Sequence, residues 1–245
     1  MIEILQWSTL IACGLVTVGR IPSALRNENR SLFCIFSLMT LAILLSIQAP
    51  YVAIDQLLGG INLANLVLRF VIFAAIFFVG LRVTRGFSAP EGQRLITGRT
   101  GMVVLALISV IMVVLFFMMD TAGSSAGLKA VSAKDQRNGV LVEYYGAGGR
   151  AYPAYVSLVM LPAMVRAVRG TLPLLIRVAA LLLAIGGVAI TLTLLFPFVP
   201  PQWGGAEFII NYTAILCFVA GLALIWLARV RAARTRGPKK SFSEN

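Results

Sequence analysis

The sequence contains no histidine and only three cysteines and nine acidic residues in 245 positions. Without histidine, the chain lacks the commonest metal ligand and the side chain that most often acts as a general base at neutral pH. Each cysteine lies alone inside an apolar run, where it behaves as a small apolar residue, and the three are Cys13, Cys34 and Cys217. They form neither a metal motif nor a disulfide framework. We therefore expect no metal site and no cofactor.

Signatures of several enzyme and receptor classes are also missing. There is no GxxxxGK[ST] loop, and the glycines at 146, 148 and 149 do not follow a strand and open a helix. This excludes an ATPase housed in the chain itself. The last apolar run has no lysine for a retinal Schiff base, and no nucleophile–base pair can be named. We expect a protein that is not an enzyme, with an intramembrane enzyme as the most distant alternative.

Apolar residues, in contrast, are abundant. They make up 59% of the chain, against roughly half in soluble domains, and the mean hydropathy is +0.92. A hydrocarbon core about 30 Å thick needs roughly 20 helical residues. Seven runs meet this requirement, at about 2–19, 32–52, 61–81, 101–119, 152–168, 176–198 and 207–228. The sequence therefore predicts an all-α fold: a polytopic membrane helix bundle of seven transmembrane helices over residues 1–230.

The distribution of basic residues predicts the orientation of this bundle. Most of the 21 Lys and Arg residues lie in the segments after the first, third and fifth runs and in the tail. The positive-inside rule places these segments in the cytoplasm. The N-terminus is then outside and the C-terminus cytoplasmic, which requires an odd number of spans. Because the arginines adjoin apolar runs, the net charge of +12 does not indicate a nucleic acid partner.

Two segments outside the spans have functional interpretations. The predicted external loop, 120–150, contains an Asn138-Gly139 turn signal followed by VLVEYY, which has strand-like composition. It is either a lid that contacts a ligand or a mobile connection. The tail at 231–245 is basic, and we expect it to be disordered and cytoplasmic. It either binds anionic lipid or a cytoplasmic protein partner, or carries only charge that fixes the topology.

One basic residue, Arg69, lies inside a predicted span. A guanidinium keeps its proton in proteins, so it needs a partner there. Asn62, Asn65 and Arg69 recur at helical spacing and share one face, and Arg69 lies about 10 Å below the outer end of its span. Asp55 precedes this stripe, and Asp120 follows the fourth run. These five residues are our candidates for ligand binding.

Three interpretations of Arg69 are open. In the first, it forms the base of an outward-open pocket and binds an anionic group through paired hydrogen bonds. In the second, it is structural, and either bonds carbonyls freed near Pro50 or Pro153 or pairs with Asp55 or Asp120. In the third, it extends to the lipid headgroups.

The first third of the chain carries a recognisable pattern. It has Arg-x-Pro and two further arginines, an apolar run that ends in Pro-Tyr, an Ile-Asp pair, and Asn-Leu-Ala at the start of the next run. The matching residues are Arg20, Pro22, Arg26, Arg30, Pro50, Tyr51, Ile54, Asp55, Asn62, Leu63 and Ala64. With them the chain resembles actinobacterial multi-pass integral membrane proteins that are often labelled as transporters.

The resemblance implies a bacterial plasma-membrane protein, but it assigns no substrate. Some members of the group carry a large soluble cytoplasmic extension, whereas this chain ends in a short basic tail. Together with the polar stripe, the resemblance leads us to expect a small-molecule transporter or a transporter-like binding protein. The alternative is a membrane-embedded sensor or regulatory anchor that signals to a cytoplasmic partner through its basic loops.

Overall fold

The computed structural model describes residues 2–26, 30–198 and 204–235, and within these ranges every regular element is helical. Two short 3-10 segments, Ala126–Leu128 and Thr193–Phe198, accompany the α-helices. The helices in chain order are α1 (Ile2–Val18), α2 (Ile21–Leu25), α3 (Arg30–Ser46), α4 (Gln48–Leu57), α5 (Leu63–Gly86), α6 (Pro90–Thr97), α7 (Arg99–Met118), α8 (Lys129–Ser132), α9 (Gln136–Arg169), α10 (Leu174–Leu192) and α11 (Gly204–Thr235). The predicted all-α class is confirmed for the described residues.

Five of these helices are long and apolar enough to cross a membrane. The apolar segments are Leu63–Gly86, Arg99–Met118, Gln136–Arg169, Leu174–Phe196 and Ile209–Ala228. A sixth span results if α3 and α4 are counted together, although a 94° bend separates them. The first predicted span corresponds to a shorter apolar helix, Gln6–Val18. A membrane-embedded helical protein with five to six candidate spans is therefore supported.

The second predicted span, 32–52, is not one continuous helix. Helix α3 ends at Ser46, Ile47 is extended with φ −89° and ψ 129°, and α4 begins at Gln48. Pro50 has no N–H to donate to the carbonyl of Ser46, which weakens the helical ladder at this bend. Helix α4 instead turns across the end of the bundle and leads to the start of α5.

The fifth predicted span begins much earlier than residue 152. Helix α9 starts at Gln136 and runs for 34 residues, so residues 136–150 of the predicted external loop are helical and the strand expected at VLVEYY is wrong. The side chain of Asp135 accepts a hydrogen bond from the Asn138 N–H at 2.6 Å and caps this helix. Asn138 and Gly139, predicted to form a turn, lie in its first turn.

The long helices pack as a closed ring. In spatial order the ring is α1, α3, α5, α9, α10 and α11, with α11 returning to α1, and α7 packs outside it against α9. Glycines permit close approach: a Cβ at Gly80 of α5 would lie 2.7 Å from Cγ1 of Val156 in α9. In α7 the buried residues are Gly101, Met112 and Phe116, and most of the others are at least partly exposed, as expected for a helix that faces lipid.

The two ends of the bundle differ in charge. The connections after α1, after α5 and after α9 meet at one end, which we call the basic end because it carries Arg20, Arg85, Arg94, Arg99 and Arg169. The other end, called here the Asp55 end, is formed by α4, the 58–62 connection and the 119–135 connection. Helix α11 continues through residue 235 into the predicted disordered tail, and residues 236–245 lie outside the described ranges.

Candidate functional site

The start of α5 is fixed by Asp55, a residue of the preceding helix. Asn62, the residue before the helix, adopts a left-handed conformation with φ 57°, and its side chain does not cap the helix. The Asp55 carboxylate takes this role, accepting hydrogen bonds from the N–H of Asn62 at 2.9 Å and of Ala64 at 3.0 Å. The hydroxyl of Ser124 donates a third at 2.6 Å. Negative charge is favourable at this helix end, and all donors to this fully buried carboxylate come from the protein.

Asn62 attaches the 119–135 connection to the same end. Its Nδ2 donates to the carbonyl oxygens of Thr121 at 2.8 Å and Gly123 at 2.7 Å. Its Oδ1 accepts from the hydroxyl of Tyr51 at 2.8 Å and from the N–H of Ser125 at 2.9 Å. All the hydrogen-bonding groups of this amide are therefore used within the protein. The predicted lid is held against α4 and α5.

Asp120 lies at the rim of this connection and contacts Lys134. The Lys134 ammonium is 3.0 Å from Asp120 Oδ1, and this contact is the main cause of a lowered pKa of the Asp120 carboxyl. The pair is solvent-exposed, so it contributes little to stability. Asn138 Oδ1 accepts from the Asp120 N–H at 2.9 Å, which joins the connection to the start of α9.

Asn65 and Arg69 follow one and two turns further along α5. Asn65 is 1% exposed, and its Oδ1 has no hydrogen-bond partner among the described residues. Arg69 is partly buried; its Nε is also without a partner, and its Cζ lies 5.6 Å from the centroid of the Tyr145 ring. Asp55 and Asp120, the acids considered as partners for it, bind other groups. The ion pair of Arg69 with Asp55 or Asp120, one of the structural alternatives, is not formed in the described ranges.

The guanidinium of Arg69 rests directly on the backbone of α9. A Cβ added at Gly149 would lie 2.8 Å from Arg69 Nη1 and 2.9 Å from Cζ, so only glycine leaves room for the side chain in this position. Pro153, one turn later, has no N–H to donate to the Gly149 carbonyl. Arg69 therefore faces a stretch of α9 in which one carbonyl lacks its intrahelical donor.

The polar line continues along α9 beyond Arg69. The buried hydroxyls of Tyr145, Tyr152 and Ser157 have no hydrogen-bond partner among the described residues, and the exposed fraction of each residue is 1% or less. Phe73 of α5 packs on Tyr152, with ring centroids 5.3 Å apart. Because Arg69 contacts Gly149 and the later residue Phe73 contacts the later residue Tyr152, α5 and α9 run in the same direction. Tyr152 and Ser157 lie about 10 Å and 18 Å from Tyr145 along the helix axis, toward the basic end.

Sequence reasoning missed the α9 half of this site. Tyr145, Gly149 and Tyr152 recur at spacings of four and three residues, which is a helical signal, but the strand-like composition of VLVEYY concealed it. Ser157 lies about a third of a turn away around the helix, beside Gly187 of α10. Arg150, assigned to the external loop, lies inside α9, where its guanidinium is 3.7 Å from the position of a Cβ at Gly146.

No protein-family model, curated protein or solved structure matches the chain, so the chemistry of the site follows from its own residues. A guanidinium and phenolic hydroxyls are hydrogen-bond donors, and a cation flanked by donors binds anions. No group of three His, Cys, Asp or Glu side chains that could hold a metal occurs in the described ranges. In chemical terms, these donors match the acceptors of a carboxylate, phosphate or sulfate group.

We expect Asp55→Ala to lower the free energy of unfolding by about 3 kcal/mol, because two N–H groups and a hydroxyl lose a charged acceptor in a buried place. Thermal and denaturant unfolding of the purified protein in detergent would measure this. Asp135→Ala is the matched control, since this exposed cap should cost about 1 kcal/mol. An equal or smaller loss for Asp55→Ala would contradict the role assigned to Asp55.

A second prediction concerns the Arg69–Gly149 contact. Gly149→Ala should destabilise the wild-type protein by displacing the guanidinium, and should cost less in an Arg69→Ala background where no guanidinium is present. A double-mutant cycle on unfolding free energies should give a coupling of about 1 kcal/mol. Additive effects would show that the two residues are not in contact.

Proposed function

We propose that the protein is a seven-span integral protein of a bacterial plasma membrane that binds a small anionic solute at Arg69. It acts as a transporter or a transporter-like binding protein and catalyses no reaction. The N-terminus and the Asp55 end face outside, and the basic end faces the cytoplasm. The observation that supports this is the line of buried, unpartnered polar atoms between α5 and α9.

The need for an anion follows from the charge of Arg69. A partly buried cation without a counter-charge is unfavourable, and the two acids that flank its span in the sequence are occupied by the start of α5 and by Lys134. An external carboxylate, phosphate or sulfate would supply the missing charge and accept paired hydrogen bonds from the guanidinium fork. Tyr145, whose ring centroid lies 5.6 Å from Arg69 Cζ, would donate a further bond from its hydroxyl.

Transport rather than simple binding is favoured by Tyr152. A buried hydroxyl without a partner is destabilising, so its presence in α9 needs a reason beyond packing. Tyr152 extends the polar line from Arg69 toward the basic end, which is the direction in which an imported anion would move. Pro153 lies within this stretch and is tolerated in a membrane helix where neighbours satisfy the freed carbonyl.

A sensor or regulatory anchor is the second candidate, and the docked connection favours it. Asn62 holds Thr121, Gly123 and Ser125, and it lies two turns from Arg69 on the same helix. A ligand at Arg69 that shifted the start of α5 would alter these bonds. Basic loops at the opposite end would then engage a cytoplasmic protein partner.

Thermal unfolding with different anions tests the proposed site. At equal ionic strength, sodium acetate, phosphate or sulfate should stabilise the wild-type protein relative to chloride, by about 1.4 kcal/mol at ten times the dissociation constant. Arg69→Gln should fold and lose this response. Arg85→Gln, an exposed arginine on the same helix, is the matched control and should keep it. Equal responses from Arg69→Gln and the control would refute the site.

Cysteine labelling tests the orientation. In a Cys34→Ser background, which removes the exposed native thiol, Ala122→Cys should react with a membrane-impermeant maleimide in intact cells. Thr97→Cys should react only after permeabilisation, because it lies at the basic end. The reverse pattern would overturn the orientation and leave the Arg69 site untouched.

A further inference from the structure

The short helix α2 begins at a buried arginine and ends at an exposed apolar face. Arg20, the residue before the helix, is 3% exposed. Its guanidinium stacks on the indole of Trp226 in α11, with Cζ 4.1 Å from the ring centroid, which is a favourable contact. Further along α2, Ile21 is 41% exposed and Leu25 80% exposed. These two side chains are four positions apart, so they share one face of the helix.

A groove lies between this face of α2 and the start of α3. Its volume is about 330 Å³, and its lining residues are Ile21, Ala24, Leu25, Arg30, Phe33 and Cys34. This volume is near the lower limit of ordinary ligand sites, roughly 300 Å³. An isolated cysteine behaves as a small apolar residue, so Arg30 is the one charged group in an otherwise apolar lining. The groove therefore combines apolar walls with a single cation.

The surface around the groove is positively charged. Arg26 directly follows Leu25 in the sequence, and both Arg26 and Arg30 are exposed. Neither arginine forms an ion pair with a carboxylate of the described ranges. Arg30 is also the first residue of the apolar helix α3, so it marks a boundary between polar and apolar surroundings. At the surface of a membrane, basic residues in such a position attract anionic lipid.

We propose that the groove between α2 and α3 is a binding site for an anionic phospholipid. One acyl chain lies against Ile21, Leu25 and Phe33, and the Arg30 guanidinium donates hydrogen bonds to the phosphate. A guanidinium fork matches two phosphate oxygens, and the volume of the groove suits one chain rather than a whole lipid. This site is independent of the anion proposed at Arg69.

The charge and the lining favour this occupant over two others. A free anion would use Arg30 but would leave the apolar walls of the groove exposed. A second copy of the chain would bring Arg26 and Arg30 against another chain of net charge +12, and like charges across an interface are repulsive. An anionic phospholipid covers the apolar walls and neutralises the arginines together.

Cys34 lies in the groove and is the exposed one of the three cysteines, so its reactivity reports occupancy. The test measures the rate of Cys34 alkylation by a maleimide in full-length Cys217→Ser protein, purified in mild detergent, while lipid is titrated. Phosphatidylglycerol should slow the reaction at least fivefold and at a lower concentration than phosphatidylcholine. As the control for general surface effects, Thr97→Cys in a Cys34→Ser and Cys217→Ser background should react at an unchanged rate, because this exposed residue of the basic end does not line the groove.

Two substitutions separate the charged and apolar parts of the site. Arg30→Gln should raise the phosphatidylglycerol concentration for half-protection about fivefold, because one basic residue near an anionic surface contributes about 1 kcal/mol. Protection by phosphatidylcholine should stay the same in this variant. Leu25→Asn should weaken protection by both lipids. Arg85→Gln, an exposed arginine of the basic end that does not line the groove, is the matched control and should behave as the parent protein.

Several results would overturn the proposal. Equal protection by phosphatidylglycerol in the parent protein and in Arg30→Gln would show that the phosphate does not contact Arg30. Equal protection of Cys34 and Thr97→Cys would show a general effect of charged lipid. Protection by inorganic phosphate alone would mean that a free anion is the ligand. Protection that rises with protein concentration in the absence of added lipid would mean that a second copy occupies the groove.

Discussion

The Asp55 end of the bundle depends on the hydrogen bonds that the buried Asp55 carboxylate accepts. Burying a carboxylate is costly unless hydrogen bonds replace its hydration, and here two backbone N–H groups and the Ser124 hydroxyl do so. The bend at Ile47 brings Asp55 over the start of α5, and the carboxylate then fixes where that helix begins. The position of Asn65 and Arg69 on the helix follows from that starting point.

The sequence allowed part of this arrangement to be predicted. Apolar runs of membrane length required helices, and the spacing of Asn65 and Arg69 placed both on one face, because these signals are local. The hydrogen bonds of Asp55 and Asn62 join residues up to about 70 positions apart, and no spacing rule reveals them. The contact of Arg69 with Gly149 was hidden for the same reason, and also because VLVEYY has the composition of a strand but follows a strong helix cap.

Two arginines at opposite ends of the bundle present the same chemical problem. The chain has nine acids against 21 basic residues, and Asp55 and Asp120, the acids that flank the span of Arg69 in the sequence, bind other groups. Arg69 and Arg20 are each stacked on or near an aromatic ring, Tyr145 and Trp226, and each retains buried nitrogen without a hydrogen-bond acceptor among the described residues. We propose that a bound anion supplies this missing negative charge at Arg69, within the bundle.

An experimental structure of the protein in lipid nanodiscs, determined in the presence of sodium phosphate and acetate, tests that claim most directly. The measured quantity is the density within hydrogen-bonding distance of the Arg69 guanidinium. We predict density for an anionic group that contacts Arg69 and faces Tyr145 and is not part of the protein. A guanidinium bonded only to main-chain carbonyls of α9, or extended to lipid headgroups, with no such density, would contradict the account.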